Sequence, residues 1–408
     1  MNDKICVVFI RNSLEDVGGI ETYIYKSMRY IISNGDIPIW ISNDFSKINA
    51  SYEKILLSEE VRKITRINLK KYLEKILIHK EVKHVLIVTF CPYDFVYAEI
   101  IKKVLLKFSI STFIFVPHFM GEFLYLEDAF FLRNFAQSKL GNIYRKLEKN
   151  ANIRYFSEIH LEEFRKRYRC NETNFSNVSV PKISEKKFFD INRINKIYNR
   201  EKFIILSVSR LDFPHKGYIL GLIDVFVQLF RKYDFMKLII VGDGKDKSRV
   251  IKKIKKIDSK ISKEIILTGA VAPNELNAYY DNANLLISLA GSFTLGASRG
   301  VLSLPARHYT EKCEVYGYLP QSKKFTLSSE TGKDVTPFIE EIINMSYDDY
   351  LKYCKECFNT YQNKNIDSYF NEINNNSKKT ISYISIIYIM FFSIYSKVKY
   401  CIKKYYEK

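Results

Sequence analysis

Four short aliphatic runs, at 203–209, 237–241, 264–268 and 284–289, punctuate the second half of the chain. Each is rich in Ile, Leu and Val and gives way to Gly, Asp, Ser or Thr, the pattern of a strand buried on both faces. Helix-length segments lie between them: GYILGLIDVFVQLFRKY, KDKSRVIKKIKKI and PNELNAYYDNA. Strand and helix alternating at this spacing predict right-handed βαβ units around a parallel sheet. The first half repeats the scheme, with strands predicted at 4–10, 37–42, 84–90 and 111–119 and another strand and turn at 151–160. An amphipathic helix over 20–32 follows the first of these and stops at Gly35.

The predicted fold class is therefore α/β, two Rossmann-like doubly wound parallel-sheet domains with a C-terminal helical tail. The expected divisions are an N-terminal domain at 1–185, a polar linker at 186–202 and a second domain at 203–340. Two helices at 341–376 and a tail at 377–408 complete the chain. The tail differs in kind. Residues 381–395, ISYISIIYIMFFSIY, are almost unbroken apolar and aromatic, with Lys378 and Lys379 before and Lys397, Lys399, Lys403 and Lys404 after. A helix of that length spans about 22 Å, short of the ~30 Å hydrocarbon core. An interfacial helix over 378–408, resting on an anionic membrane surface, is the expectation; docking on the protein body is the alternative.

Composition sharpens this picture in two places. A net charge of +19 on 408 residues invites nucleic acid, an anionic membrane or a phosphate-rich substrate. No helix-turn-helix, zinc-finger or RNP-like pattern accompanies it, so no nucleic-acid partner is expected. Seven scattered cysteines and the lack of a signal-peptide pattern before the first strand predict a cytoplasmic setting, peripheral on the inner face of the membrane. Cys354 and Cys357 form a CxxC without a second pair, a poor case for zinc.

In a parallel sheet of this kind, ligands bind beyond the carboxyl ends of the strands. Arg210, Lys216, Gly242, Gly244, Gly269 and the 291–294 segment GSFT all fall at such ends. Arg210 as a planar fork and Lys216 as a point charge can meet a diphosphate from two sides. GSFT ahead of a helix would present free backbone N–H groups to an anion. Gly18 and Gly19, after the first strand, let the backbone approach a ligand closely. His118 ends a first-domain strand as a candidate catalytic group.

These elements, GGIET, SRLDFPHKG, LIIVGDGKD and a strand–loop–helix closing at Pro305, resemble the family 4 glycosyltransferases with the GT-B fold. The resemblance covers most of 1–365 and is densest from 203 to 305. It implies two domains facing a cleft and transfer of a sugar from a nucleotide diphosphate, with retention and without a metal or other cofactor. It assigns the donor diphosphate to Arg210 and Lys216, and a place near donor and acceptor to Gly18, Gly19 and His118. It adds Gly242, Gly244, Gly291, Ser292, Phe293, Thr294 and Ser298 as donor-binding candidates.

One departure is plain. The family's two glutamates fall here on Ala290 and Ser298, and no Asp or Glu lies between Asp281 and Glu311. Arg299, Arg307, His308 and Glu314 are the groups that could stand in for them. Two readings follow: a divergent hexosyltransferase acting on a glycan or lipid-diphosphate-linked acceptor in bacterial surface polysaccharide synthesis, or a non-catalytic GT-B partner of another transferase.

Overall fold

The computed structural model describes most of residues 4–106, then 111–115, parts of 134–145, 188–322 apart from 273–274, 331–361 and 382–406. The chain divides into two compact units, Met1–Ser184 with Lys364–Lys408, and Glu185–Asn363.

In the first unit, β1 (Lys4–Ile10), β2 (Ile37–Ile41), β3 (Arg62–Ile64), β4 (Val82–Thr89) and β5 (Ser111–Phe115) form a wholly parallel sheet in the order β3-β2-β1-β4-β5. The strand period of two sends Cys6, Val8 and Ile10 to one face and Val7 and Phe9 to the other. Helix Gly19–Ser33 packs on the second face through Ile24, Met28 and Ile31. Helix Pro92–Leu106 covers the first face. The predicted strands at 4–10, 37–42 and 84–90 are present. That at 111–119 is present over 111–115, while its remainder, including His118, and the segment 151–160 lie outside the described residues.

The tail forms a helix, Tyr383–Tyr406, within this first unit. Ile386, Ile389 and Phe392 are buried in the core beside helix Pro92–Leu106, and Lys103 Nζ lies 3.6 Å from the Tyr383 ring centroid. Tyr383, Ile384, Ile387, Phe391, Ile394 and Val398 remain exposed along its other side. One face thus docks on the protein body, which amends the expectation of a helix given over to a membrane surface. Among the described residues no helix is long and apolar enough to cross a membrane.

The second unit holds β6 (Phe203–Val208), β7 (Met236–Val241), β8 (Ile265–Gly269), β9 (Leu285–Ser288) and β10 (Ser303–Pro305), all parallel in the order β10-β9-β6-β7-β8. Helix Tyr218–Phe230 buries Ile219, Leu222, Ile223 and Phe226 against one face of it. Tyr280, Ala283 and Val301 lie in the core on the other. A short antiparallel pair, β11 (Glu314–Val315) and β12 (Lys333–Asp334), follows β10. Helices Thr336–Ile343 and Tyr347–Thr360 both pack into the core of the second sheet; the first begins ahead of the expected 341–376, and 362–376 lies outside the described residues.

The expected linker at 186–202 is instead partly helical and part of the second unit. Helix Ile191–Tyr198 buries Ile194 and Ile197, is capped where the Asp190 carboxylate accepts from the Arg193 N–H at 2.9 Å, and escapes notice because it is only eight residues long within a polar stretch. Cys354 and Cys357 are buried free thiols of this core. Burial raises Cys354 to about 12 and Cys357 further, leaving neither as a thiolate ligand.

Candidate functional site

The site is built where β6 and β7 end. Beyond β6 the chain is stitched to the loop after β7: Ser209 N donates to Val241 O at 2.9 Å, Leu211 N to Asp243 O at 2.9 Å, and Asp246 N to Leu211 O at 3.1 Å. The Asp246 carboxylate accepts from Phe213 N at 2.8 Å. This approach is close enough that a Cβ on Gly242 would overlap the Ser209 carbonyl, and one on Gly244 the Leu211 carbonyl. Gly242 and Gly244 thus hold two loops together, the physical reason for GDG at this point. This close approach accounts for both glycines without a ligand.

Arg210 and Lys216 emerge from the stitched loop. Asp212 lies 3.5 Å from Arg210 and 2.6 Å from Lys245. Lys216 is half-buried, and among the described residues no carboxylate forms an ion pair with it. Burial, and then the Arg210 guanidinium, lower its ammonium to about 8, with Asp212 opposing in part. A cation held against its own electrostatic preference is poised for an anion. Two neighbouring imidazoles respond to it: burial and then Lys216 bring His215 down to about 4, and the same two causes lower His308. Both rings are neutral at pH 7. His308 Nδ1 is buried without a hydrogen-bond partner.

Beyond β9, the predicted loop at 291–294 is the first turn of helix Ala290–Ala297, because Ala290 already enters helical pairing. Leu289 precedes it without any side-chain cap, so the free N–H groups of the first turn remain available to an anion. Ala290 has φ 50°, a region that costs a non-glycine residue energy and tends to occur at functional sites. A Cβ on Gly291 would meet nothing within 4 Å. The remaining side chains are less free than the sequence suggests. Thr294 Oγ1 donates to Gly291 O at 3.1 Å, and Ser298 Oγ to Leu295 O at 2.8 Å. Phe293 is wholly buried with Ala297, Leu319, Cys357 and Tyr361, so its ring serves the core and not a donor. Ser292 gives its carbonyl to Tyr280 OH at 3.0 Å.

The proposed stand-ins for the glutamates part company. Arg299 is committed to Asp281, with Nε 3.0 Å from Oδ1, and to Asn277 at 3.2 Å. These contacts tie the end of one helix to another and occupy the guanidinium. Arg307 and Glu314 are brought together as an ion pair at 2.6 Å, so neither offers a free charge. His308 alone lies beside the Arg210 and Lys216 pair, through Lys216. Gly19 opens helix Gly19–Ser33 in the first unit, and Gly18 lies outside the described residues. There the buried Glu21 of GGIET pairs with Arg11 at 2.9 Å, a contact the glycine motif did not reveal.

His215 and Tyr309 are residues that the sequence reading missed. Nothing in periodicity marks them, although His215 abuts Lys216. Their rings lie 4.9 Å apart, and the His308 and Tyr309 rings 5.0 Å. Among the described residues no group of three or more His, Cys, Asp or Glu is placed to hold a metal.

Comparison with known proteins places this geometry. Residues 189–297 match the family model "Glycosyl transferases group 1". Over 116 residues the chain is 28% identical to the alpha-monoglucosyldiacylglycerol synthase of Streptococcus pneumoniae, a match covering 28% of this chain and 25% of that protein. The alignment thus spans about a quarter of the curated relative's length. The fold is similar to the crystal structure of TarM, with a TM-score of 0.55 at 9% identity over 92% of this chain and 99% of that one. It is also similar to the N-terminal domain of Candida albicans trehalose-6-phosphate phosphatase, with a TM-score of 0.51 at 14% identity over 92% and 97%. At such identities these structures speak for the fold alone, two parallel-sheet Rossmann-like domains of GT-B type.

Proposed function

Because the second unit carries the group 1 glycosyl transferase segment over 189–297, we propose that the protein is a hexosyltransferase drawing its sugar from a nucleotide diphosphate. The observation that carries this reading is Lys216, a half-buried cation beside Arg210 that pairs with no carboxylate among the described residues. As the bond from the anomeric carbon to the diphosphate breaks, negative charge grows on the leaving oxygen. Lys216 and Arg210 lower the cost of that charge, with the first turn of helix Ala290–Ala297 as a further donor of N–H groups. The departing phosphate takes the proton of the acceptor hydroxyl, and transfer proceeds with retention. These cations stand in for a divalent metal, so none is required.

The acceptor is a glycan or a lipid-diphosphate-linked glycan of bacterial surface polysaccharide synthesis, reached at the cytoplasmic face of an anionic membrane. Two features support this. The similar streptococcal protein is named for a glycolipid product. Helix Tyr383–Tyr406 contains Lys397, Lys399, Lys403 and Lys404 and no carboxylate, and keeps an apolar stripe exposed.

A thermal-shift screen against UDP, GDP, ADP, CMP and their sugars tests the reading. A shift with one nucleotide, lost in Lys216→Ala, supports it. The positions matched to the family's glutamates are Ala290 and Ser298, and the Ser298 hydroxyl is turned back onto its own helix, which favours a non-catalytic partner as the second reading. No shift with any nucleotide, in a folded sample, would make that reading the better one.

A further inference from the structure

Tyr309 is 65% exposed although it is a large aromatic residue beside a buried core. Its φ of 54° lies in the left-handed region, where a bulky side chain is an outlier. Such a conformation persists only where the surroundings impose it, and here they do. Ala306 and Val315 form an antiparallel bridge, Arg307 N donates to Glu314 O at 2.8 Å, and the Arg307–Glu314 ion pair closes the same turn. The tip of the turn is pressed onto the helix that follows Lys216. A Cβ on Gly217 would come 2.8 Å from Thr310 O, and one on Gly221 would overlap the Cys313 backbone nitrogen. Arg249 pins Glu311 from a further side at 2.7 Å.

The result is an aromatic group fixed in place and left uncovered. Tyr309 N donates to His215 O at 3.2 Å, and the His215 ring lies 4.9 Å from the Tyr309 ring at 38°. The His308 ring stands edge-on at 5.0 Å from Tyr309 and 6.0 Å from His215. His215 and His308 both feel the Lys216 ammonium. The exposed ring therefore belongs to the surroundings of the cation that would hold a phosphate.

We propose that Tyr309, backed by His215 and His308, is the stacking platform for a ring carried on the diphosphate held by Arg210 and Lys216. This rests on the reading of that pair as a donor site. A nucleobase would stack by its π-face and a hexose by its apolar C–H face, and Tyr309 serves either chemistry. His308 Nδ1, buried and unpartnered, is the polar group beside that platform.

Titration calorimetry of the full chain tests the platform with inorganic pyrophosphate, with UDP, GDP and ADP, and with their glucose conjugates. Tyr309→Ala is expected to weaken the nucleotide-sugar conjugate that binds by on the order of tenfold, to leave pyrophosphate unchanged, and to be rescued by Tyr309→Phe. A loss shared by nucleotide and conjugate assigns the base to Tyr309; a loss confined to the conjugate assigns the hexose. Equal weakening of pyrophosphate, or unchanged binding of every ligand in a variant of wild-type melting temperature, overturns the proposal. If Lys216→Ala abolishes binding while Tyr309→Ala does nothing, only the platform falls. If none of the ligands binds the wild-type chain, the donor site and the platform fall together.

Discussion

Asp212 pairs with Lys245 at 2.6 Å and forms no ion pair with Lys216, although it stands four residues before it in the same loop. The carboxylate is drawn to the exposed lysine and to Arg210. The inner lysine keeps its charge with little help from the protein, at about 8 and below its ordinary 10.5.

The affinity of the site for a nucleotide diphosphate therefore depends on pH in a predictable direction. Lys216 is protonated below about 8 and binds phosphate as a cation; above that value it loses the proton and the attraction. Affinity measured by calorimetry is expected to hold steady near pH 7 and to fall through pH 8–9, with proton uptake on binding in that window. In Lys216→Arg the fall disappears, because guanidinium stays charged. For the unliganded fold the sign is opposite. A base whose pKa is lowered by folding destabilises the folded state while it is charged, so Lys216 contributes a gain in stability as pH rises from about 8 towards its unfolded value.

Gly242 and Gly291 separate two uses of glycine. Gly242→Ala drives a methyl into the Ser209 carbonyl, and a loss of roughly 3 kcal/mol or more in denaturant unfolding is expected. Gly291→Ala meets open space within a helix and is expected to leave the melting temperature unchanged or raise it. If the first turn of that helix lies against the donor, the same variant loses nucleotide affinity. Unfolding curves and calorimetry on the two proteins check both.

Arg299 was a candidate for the donor on the strength of its charge and place in sequence. Its fork is spent on Asp281 and Asn277. Arg299→Ala is expected to lower stability by about 1–2 kcal/mol while nucleotide affinity stays as in the wild type. A loss of affinity without a loss of stability would return Arg299 to the site.

The tail helix has two apolar faces with different duties. Ile389→Ala removes a buried side chain from the first unit's core and is expected to cost about 2–5 kcal/mol. Ile387→Ala and Phe391→Ala lie on the exposed face and are expected to change stability by no more than about 0.5 kcal/mol, yet to weaken sedimentation with vesicles rich in phosphatidylglycerol. Vesicle binding that survives the double variant Ile387→Glu, Phe391→Glu would show that this face is not the membrane contact.

Much of this fold was legible because its strands are buried on both faces. Runs such as 5–10 and 203–206 are apolar at every position, and a parallel sheet covered by helices leaves no other home for them. What escaped were elements stabilised by few side chains. β3 and β10 are three residues long, and helix Ile191–Tyr198 is eight residues long and buries two isoleucines. At the site, Arg210 and Lys216 were legible from charge and position beyond a strand. The commitments of Arg299 to Asp281 and of Arg307 to Glu314 were not, since a sequence shows charges but not which of them are already paired. His215 and Tyr309 were hidden for another reason: the contact that unites them joins loops ninety-odd positions apart.

The return of helix Tyr383–Tyr406 to the first unit has a consequence for biosynthesis. Ile386, Ile389 and Phe392 reach the ribosome exit after the whole of Glu185–Asn363. At ordinary translation speeds that delay is roughly ten to forty seconds. Throughout it, the apolar side of helix Pro92–Leu106 waits for its last partner, and the later unit is complete before that partner is made. The part of the protein made first is thus completed last, and premature termination between Asn363 and Ile386 would release a chain whose second unit is intact and whose first is open to aggregation or to capture by a chaperone.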